Sequence, residues 1–488
     1  MGLATCVLLA GCNGDGSTTT PSSSTSTNPT TAAVVHVDGD TSEWPASDVI
    51  QADEHYLYLR VRPSAQPRTL QSFDGMLRLV LDLDGDTQTG LATSGPTVRD
   101  ASGNEGMIGA EVEIVFSPSE DGAQGRGVAC ARLNADGSTA PISNGDVGLM
   151  FAPTYADNWY EMRIPREAAA LPELRERGKR VVGVFEMLNL NGEAIGATPM
   201  FSARLPAMQP DLGVEMGLPT RGFGQVRVMS YNVLFTSPVK NPNGFSALIQ
   251  AADPDIILFQ EWHDGTAEDI ENWLAAFAPG PQPWRVIKGE QTGVAIASRY
   301  AMTAASVSDA PMSGGSSPLR VIAGTIYSPI GPISAASVHL KCCGFAGSPE
   351  DQKRMAEAEA INQRLAAAWD TGSDRARVIA GDLNLVGSRP PLDILRAGLD
   401  HDGTSLEVAD ARVLGDGSTY TWRDWESDFT PGRLDWMMVG DARASIARSF
   451  VIDPSRLSDK ALAAIGITAD DANGSDHLPV VADITANR

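Results

Sequence analysis

The sequence predicts an α+β protein in which an antiparallel β-sandwich precedes a second domain of alternating strands and helices. The chain has 488 residues, which is too long for one ordinary domain. Short alternating apolar runs separated by Gly, Asp and Pro turns fill residues 34–205, as is typical of antiparallel sandwiches. From residue 226 onward, strand-length apolar runs alternate with amphipathic helices. We therefore expect two folded domains of different architecture.

Residues 1–33 are interpreted as a signal and a tether. The apolar stretch Leu3–Gly11 is too short to span a bilayer, and small residues precede Cys12 in "LLAGC". This pattern resembles the lipobox of bacterial lipoproteins, which implies a lipidated Cys12 and export to the outer membrane, the cell surface or the medium. The Ser/Thr/Pro-rich tract that follows suits a flexible tether. A chance apolar start is the alternative, since no positively charged segment precedes it.

Residues 34–205 carry the motifs "VDGDTSEWP", "LDLDGDTQTG" and "WYEMRIP". Together they resemble family 9 carbohydrate-binding modules and related DOMON-like sandwiches, and this resemblance implies polysaccharide as a partner. Asp82, Asp84 and Asp86 alternate in the second motif, and such an oxygen-rich loop suits Ca²⁺. An acidic turn between strands is an equally good interpretation. One helix is expected within this domain, in "REAAALPELRERG".

A Pro- and Gly-rich stretch at residues 206–225 is interpreted as the linker to the domain at residues 226–488. In that domain "EDIENWLAAFA" places apolar residues at i, i+3, i+4 and i+7 between Ile270 and Phe277, which predicts an amphipathic helix. A second helix is expected after Ser348, a suitable N-cap, with Pro349 at its first position.

Polar residues stand at the ends of several apolar runs in the second domain. Each alone is ordinary, because carboxylates and amides are common in turns and a single histidine is usually structural. Jointly they supply the groups needed for a hard divalent metal and for an in-line attack at phosphorus. These strand-end residues are Asn232, Glu261, His339, Asp382, Asn384, Asp435, Asp476 and His477.

Six motifs in register carry a specific resemblance: "SYNV", "QE", "VHLK", "GDLN", "RLDW" and "SDHLP". In this order they are similar to the endonuclease/exonuclease/phosphatase superfamily, which includes pancreatic-type deoxyribonuclease. The resemblance implies a four-layered αββα sandwich. It also implies that Glu261 is the principal metal ligand, that Asn232 joins the metal shell and that Asp476 is a second carboxylate near the metal.

The same resemblance implies catalytic roles for five residues. His477 would contact the phosphate or act as base, and Asp435 would pair with it and fix its tautomer. Asp382 and Asn384 would orient the attacking water and a phosphoryl oxygen. His339 matches the histidine of the nuclease-like branch, which donates to the phosphate or the leaving group.

The charge of the chain constrains these expectations. Sixty-one acidic residues stand against 37 basic ones, giving a net charge of −24, so no general attraction to a polyanion or an anionic membrane is available. A phosphate-bearing substrate therefore needs a local cation, for which we expect Mg²⁺ or Mn²⁺. No disulfide framework is visible among Cys130, Cys342 and Cys343, and the redox state of the adjacent pair stays open.

The sequence thus predicts an exported, metal-dependent phosphodiesterase, a monomer that hydrolyses nucleic acid. Two alternatives remain. One is a phosphoesterase acting on small-molecule or lipid phosphoesters, because loops set the substrate. The other is a surface glycan-binding lipoprotein in which the second domain is secondary. Trp422, Trp425 and Phe429 lie in a segment that could stack on bases, and a role in capping the sandwich is the favoured interpretation.

Overall fold

The computed structural model describes residues 35–211, 213, 215, 217–307, 309–312, 315–369, 374 and 376–487. Cys12 and the predicted signal and tether at residues 1–33 lie outside the described residues. Over the described ranges, no helix combines the length and the apolar character needed to cross a bilayer. Cys130, Cys342 and Cys343 carry free thiols.

Antiparallel strands dominate residues 35–211. They are β1 (Ile50–Ala52), β2 (Tyr56–Val61), β3 (Met76–Asp82), β4 (Leu91–Arg99), β5 (Glu105–Ala110), β6 (Val112–Phe116), β7 (Val128–Leu133), β8 (Thr139–Ile142), β9 (Met150–Ala152), β10 (Tyr160–Pro165), β11 (Arg180–Leu188), β12 (Ala194–Ala197) and β13 (Phe201–Arg204). A short helix α1 (Asn144–Val147) and 3-10 turns at Thr41–Glu43 and Pro172–Arg175 complete the region.

Two of the sheets form the predicted β-sandwich. One has the order β1-β2-β10-β9, and the other has the order β12-β11-β3-β6-β7-β8 with β13 also paired to β11. Alternate residues of β3, such as Leu77 and Leu79, share one buried core with Leu57 and Leu59 of β2, whereas Val80 faces a separate cluster. This alternation is what an antiparallel strand between two layers requires.

The helix predicted in "REAAALPELRERG" is wrong, because only the 3-10 turn Pro172–Arg175 forms there. Pro172 has no N–H to bond the carbonyl four residues back, and it restricts Leu171, which has φ −129° and ψ 60°. Nε of the buried Arg166 donates instead to the Leu174 carbonyl at 2.9 Å.

Strands and helices alternate from residue 226 onward. They are β14 (Val226–Asn232), α2 (Ser237–Lys240), α3 (Pro242–Ala252), β15 (Ile256–Gln260), α4 (Ala267–Phe277), β16 (Arg285–Lys288), β17 (Ala295–Ser298), β18 (Met302–Ala304), β19 (Val321–Ser328), β20 (Gly331–His339), α5 (Pro349–Trp369), β21 (Ala376–Asp382), α6 (Pro390–Arg396), β22 (Glu407–Val408), β23 (Arg412–Val413), β24 (Asp435–Val439), β25 (Ala444–Val451), α7 (Asp459–Ile465) and β26 (Val480–Ala486).

These elements form the four-layered αββα sandwich. The sheet β16-β17-β15-β14-β26-β25-β23 packs against the sheet β18-β19-β20-β21-β24-β22. Val228 and Leu258 face the core between the sheets, while their neighbours Met229 and Ile257 face α3 and α4. On the other side, α5 and α6 cover the second sheet. Each central strand is therefore buried on both faces, which explains the continuous apolar runs of the sequence.

Both helices predicted in this domain are present. α4 begins with a capping box between Thr266 and Asp269 and buries Ile270, Trp273 and Leu274. α5 begins at Pro349, and the Oγ of Ser348 accepts a hydrogen bond from the N–H of Asp351 at 3.2 Å.

The sandwich and the four-layered part contact each other directly. Val35–Arg488 forms one compact unit, and the described residues of 206–225 carry no helix or strand. At the seam, the contact surface between these two parts, Nη2 of Arg163 lies 2.6 Å from Oδ2 of Asp416, and both side chains are buried. Nε of Arg456 lies 2.9 Å from the same oxygen.

Candidate active site

The strand ends of the two central sheets meet and bring the polar residues together. β14 and β15 are parallel and pair Asn232 with Gln260, so Glu261 follows at the same edge. In the second sheet, β20 and β21 are parallel and pair His339 with Asp382, which in turn lies opposite Asp435 at the start of β24. Parallel register therefore places these groups at one end of the sandwich.

Asn232 connects the two sheets at this end. Its buried Nδ2 lies 3.2 Å from Oε1 of Glu261 and 3.1 Å from Oδ2 of Asp382. The same nitrogen lies 3.4 Å from Nε2 of His477. The amide thus touches three of the other predicted site residues.

His477 forms a short, buried pair with Asp435. Its Nδ1 lies 2.7 Å from Oδ2 of Asp435, which also accepts a hydrogen bond from the Thr421 hydroxyl at 2.8 Å. Burial lowers the pKa of His477, but the carboxylates of Asp435 and Asp382 outweigh it and raise this pKa to about 10. The ring is therefore fixed in orientation, with Nδ1–H directed to Asp435 and Nε2 directed away from it.

Unlike His477, the neighbouring His339 and Asp382 have pKa values shifted towards their neutral forms. Burial, and then the neighbouring Arg320, hold the pKa of His339 well below its ordinary value, so its imidazole is neutral. Burial raises the pKa of Asp382 to about 7, with His477 acting against it. Nε2 of His339 lies 3.4 Å from Oδ2 of Asp382 and 3.8 Å from Oε1 of Glu261.

Glu261, His339 and Asp382 fit a divalent metal ion. One ligand atom from each lies within 4.8 Å of the others. Two carboxylates and a neutral imidazole form a donor set that transition metals accept, and an ion would relieve the cost of burying Asp382 in its charged form. Two of the metal ligands implied by the sequence are found here: Glu261 belongs to the cluster, and Asn232 forms hydrogen bonds with Glu261 and Asp382.

Asp476 is held by a different partner. Its Oδ2 accepts a hydrogen bond from Nε1 of Trp422 at 2.7 Å, while its buried Oδ1 has no partner among the described residues. Asp476 does not belong to the three-residue cluster described above. The favoured expectation for Trp422 was a role in capping the sandwich, and no sequence signal indicated this hydrogen bond or the one from the Thr421 hydroxyl to Asp435.

Asn384 completes the site from the segment that follows β21. Its Nδ2 donates to Oδ2 of Asp382 at 2.9 Å, and its backbone φ is 49°. Asparagine tolerates this left-handed conformation better than most residues do, which is consistent with its place in "GDLN".

The acidic loop of the sandwich gives the Ca²⁺ expectation no further support. A second group of ligand atoms combines Asp82 and Asp84 with Glu111, and Asp86 lies outside it. Oδ1 of Asp82 accepts the N–H of Gly85 at 2.6 Å, and Lys179 Nζ lies 3.4 Å from Oδ2 of Asp84. Such contacts are typical of an acidic turn whose charge is partly balanced by a lysine side chain.

A family model described as "Endonuclease/Exonuclease/phosphatase family" matches residues 229–477. The chain belongs to this family. It is therefore an enzyme of the phosphoester-hydrolysing type, as the six sequence motifs predicted. A search of curated proteins found no match. The likeness of residues 34–205 to carbohydrate-binding modules stays a prediction.

Solved structures similar to this endonuclease/exonuclease/phosphatase family member include several enzymes. A 3'-5' exonuclease from Neisseria meningitidis is 17% identical, with 53% of this chain and 100% of that one covered and a TM-score of 0.38. An AP endonuclease from Archaeoglobus fulgidus is 16% identical (53% and 98% covered, TM-score 0.34). Sphingomyelinase C from Streptomyces griseocarneus is 16% identical (53% and 99% covered, TM-score 0.35).

Proposed function

We propose that the protein is a metal-dependent phosphodiesterase whose substrate is nucleic acid. The observation that carries this proposal is the buried His477–Asp435 pair, which lies beside the cluster of Glu261, His339 and Asp382. A fixed imidazole next to a set of metal-binding groups is the arrangement needed to hold a phosphodiester and attack it. His339 matches the histidine of the nuclease-like branch, and this likeness supports nucleic acid among the phosphoesters.

Each residue has a defined task in this proposal. Asp435 keeps the proton on Nδ1 of His477, so that Nε2 can donate a hydrogen bond to a phosphoryl oxygen. Asp382 and Asn384, joined by a 2.9 Å hydrogen bond, orient the attacking water. A divalent ion held by Glu261, His339 and Asp382 would supply positive charge that neutralises the phosphate.

Removal of the metal tests the proposal. We expect excess EDTA to abolish hydrolysis of a single-stranded oligonucleotide, because a protein with a net charge of −24 otherwise repels its substrate. Added Mg²⁺ or Mn²⁺ in excess over the chelator should restore the rate. Full turnover in excess chelator would contradict metal dependence.

The same net charge favours a second candidate, hydrolysis of small-molecule or lipid phosphoesters, which do not require attraction of a long polyanion. Metal-dependent cleavage of a p-nitrophenyl phosphodiester without cleavage of DNA or RNA would support this candidate over the first.

Export and glycan binding belong to the proposal as well. The lipobox-like sequence before Cys12 supports a lipid anchor, and mass spectrometry of the mature N-terminus would test it. The motifs of residues 34–205 support a polysaccharide partner, which binding to a panel of insoluble polysaccharides would test.

A further inference from the structure

An exposed aromatic side chain lies directly beside the candidate metal cluster. Phe235 is 66% exposed, although phenylalanine is among the residues most often buried. Its backbone N–H donates to Oε2 of Glu261 at 3.1 Å, and Glu261 belongs to the cluster. The phenyl ring therefore projects from a backbone that is anchored to the site itself.

The backbone that carries this ring is strained. Leu234, Phe235 and Thr236 have φ values of 43°, 50° and 64°, so three successive residues with side chains adopt the left-handed conformation. Such strain persists only where surrounding contacts fix it, and it occurs preferentially at functional sites. Here the N–H of Leu234 binds Oδ1 of Asn232 at 3.1 Å, and the N–H of Thr236 binds the carbonyl of Glu261 at 2.9 Å.

The ring of Phe235 is also supported from one side. It stacks on the imidazole of His263, with ring centroids 5.7 Å apart and an angle of 25° between the planes. His263 in turn packs over Gly293, where a Cβ would lie 2.8 Å from its Nδ1. The imidazole thus supports the flat phenyl ring, and both rings are carried by strand-end segments of the site.

We propose that Phe235 is the specificity residue of this enzyme and stacks on the nucleobase attached to the scissile phosphate. The proposal rests on the phosphodiesterase function proposed above and names its substrate class. Stacking on a planar base gains from a flat ring held in one orientation, because little conformational entropy is lost on contact. Insertion into fluid acyl chains gains nothing from a fixed orientation, so the strained backbone favours a base over a lipid.

A pair of matched substrates tests the proposal. One is a single-stranded oligonucleotide, and the other has the same backbone with abasic residues on both sides of the cleavable bond. We expect Phe235→Ala to lower kcat/KM about tenfold or more on the first substrate and to leave the second unchanged. Phe235→Trp should retain the preference for bases. Equal losses on both substrates would overturn the proposal, because they would indicate a purely structural role.

Val239 provides the matched control. It is 63% exposed and lies on the same segment, in α2. Val239→Ala should leave both substrates unaffected if Phe235 acts by stacking. If both variants instead lose binding to phosphatidylcholine vesicles that the wild-type protein binds, the segment is a lipid-contacting surface and the base proposal is overturned.

A readout that does not depend on turnover separates failure of this inference from failure of the proposed function. In the His477→Ala background, we expect an oligonucleotide containing 2-aminopurine to lose fluorescence on binding, since stacking quenches that base. Phe235→Ala should abolish the quenching. Quenching that survives the substitution overturns the role of Phe235 even if the enzyme cleaves DNA. A wild-type protein that cleaves neither oligonucleotide overturns the proposed function.

Discussion

Asp435 has the most narrowly defined geometry of the site residues. Its Oδ2 accepts a hydrogen bond from Nδ1–H of His477 at 2.7 Å. Among the described residues, no other carboxylate contacts that nitrogen. An amide in its place would no longer stabilise a proton on Nδ1, and would allow the wrong tautomer.

We therefore expect Asp435→Asn to lower kcat by ~10²–10⁴-fold while KM changes little. Steady-state kinetics on an oligonucleotide would measure both constants. Asp453→Asn is the matched control, because Asp453 is equally buried but bonds the Tyr420 hydroxyl at 2.6 Å, outside the predicted catalytic pair. Unchanged turnover in the Asp435 variant would refute the pairing.

At this scale the sequence predicted which groups converge but not how they divide the work. Strand ends preceded by apolar runs, such as His339 and Asp382, can be located from periodicity, because parallel strands end at a common edge. The hydrogen bond between Trp422 and Asp476 could not be predicted, because it joins residues 54 positions apart through loops without periodicity. The left-handed backbone at Phe235 has no sequence signal either, since no glycine marks it.

Among the elements, the two long amphipathic helices were predicted, and the short 3-10 turn at Pro172 was not. The prediction of α4 came from its apolar periodicity, and that of α5 came from Ser348 as N-cap with Pro349 at the first position. The stretch before Pro172 has good helix formers, yet the proline and the buried Arg166 override their propensity. The proline and this tertiary contact together therefore outweigh the helix propensity of the stretch.

The pairing of β20 with β21 depends on a glycine beside the site. A Cβ on Gly381, whose φ is 153°, would lie 1.8 Å from the carbonyl oxygen of Val338. We expect Gly381→Ala to destabilise the protein by about 3 kcal/mol or more, because backbone atoms on both strands must separate. Urea unfolding would measure the change.

Gly196→Ala is the control for that measurement, since a Cβ there meets nothing within 4 Å. Its effect should stay within about 0.5 kcal/mol. Equal stability of the two variants would show that β20 and β21 are less closely paired than the structure indicates.

In the whole molecule, the sandwich holds the loops that surround the site. The hydroxyl of Thr69 accepts the N–H of Ala346 at 2.9 Å, in the loop after His339. The hydroxyl of Thr154 accepts the N–H of Arg433 at 2.8 Å, two residues before Asp435. No sequence motif signals these contacts, because each joins an ordinary threonine to a backbone N–H. Through these two hydrogen bonds, the sandwich helps to hold the loops that carry or follow site residues.

The buried ion pair at the seam gives a stability prediction. Burial would raise the pKa of Asp416, but Arg163 and Arg456 outweigh it and hold this pKa well below its ordinary range. The contribution of the carboxylate to stability is therefore fully present above the pKa of the unfolded chain, near pH 4, and is lost only as pH falls further.

We expect Asp416→Asn to lower the free energy of unfolding at pH 7 by ~3–5 kcal/mol, because the buried guanidinium group of Arg163 loses its counter-charge. The partly exposed Arg456 loses one carboxylate partner and keeps its pair with Asp211. Asp410→Asn, which breaks an exposed pair with Arg412, should cost less than about 1 kcal/mol. Because the seam is shared, calorimetry should show one transition for the wild-type protein. Two well-separated transitions, with only one sensitive to Asp416, would contradict a single cooperative unit.

The central claim is that His477 and the neighbouring metal-binding groups cleave phosphodiesters of nucleic acid, and plasmid nicking tests it most directly. Purified protein would be incubated with supercoiled DNA and Mg²⁺ beside an equal amount of the His477→Ala variant. We predict conversion to nicked and linear DNA by the wild-type protein and loss of that conversion in the variant. No cleavage by the wild-type protein, or equal cleavage by both, would contradict the claim.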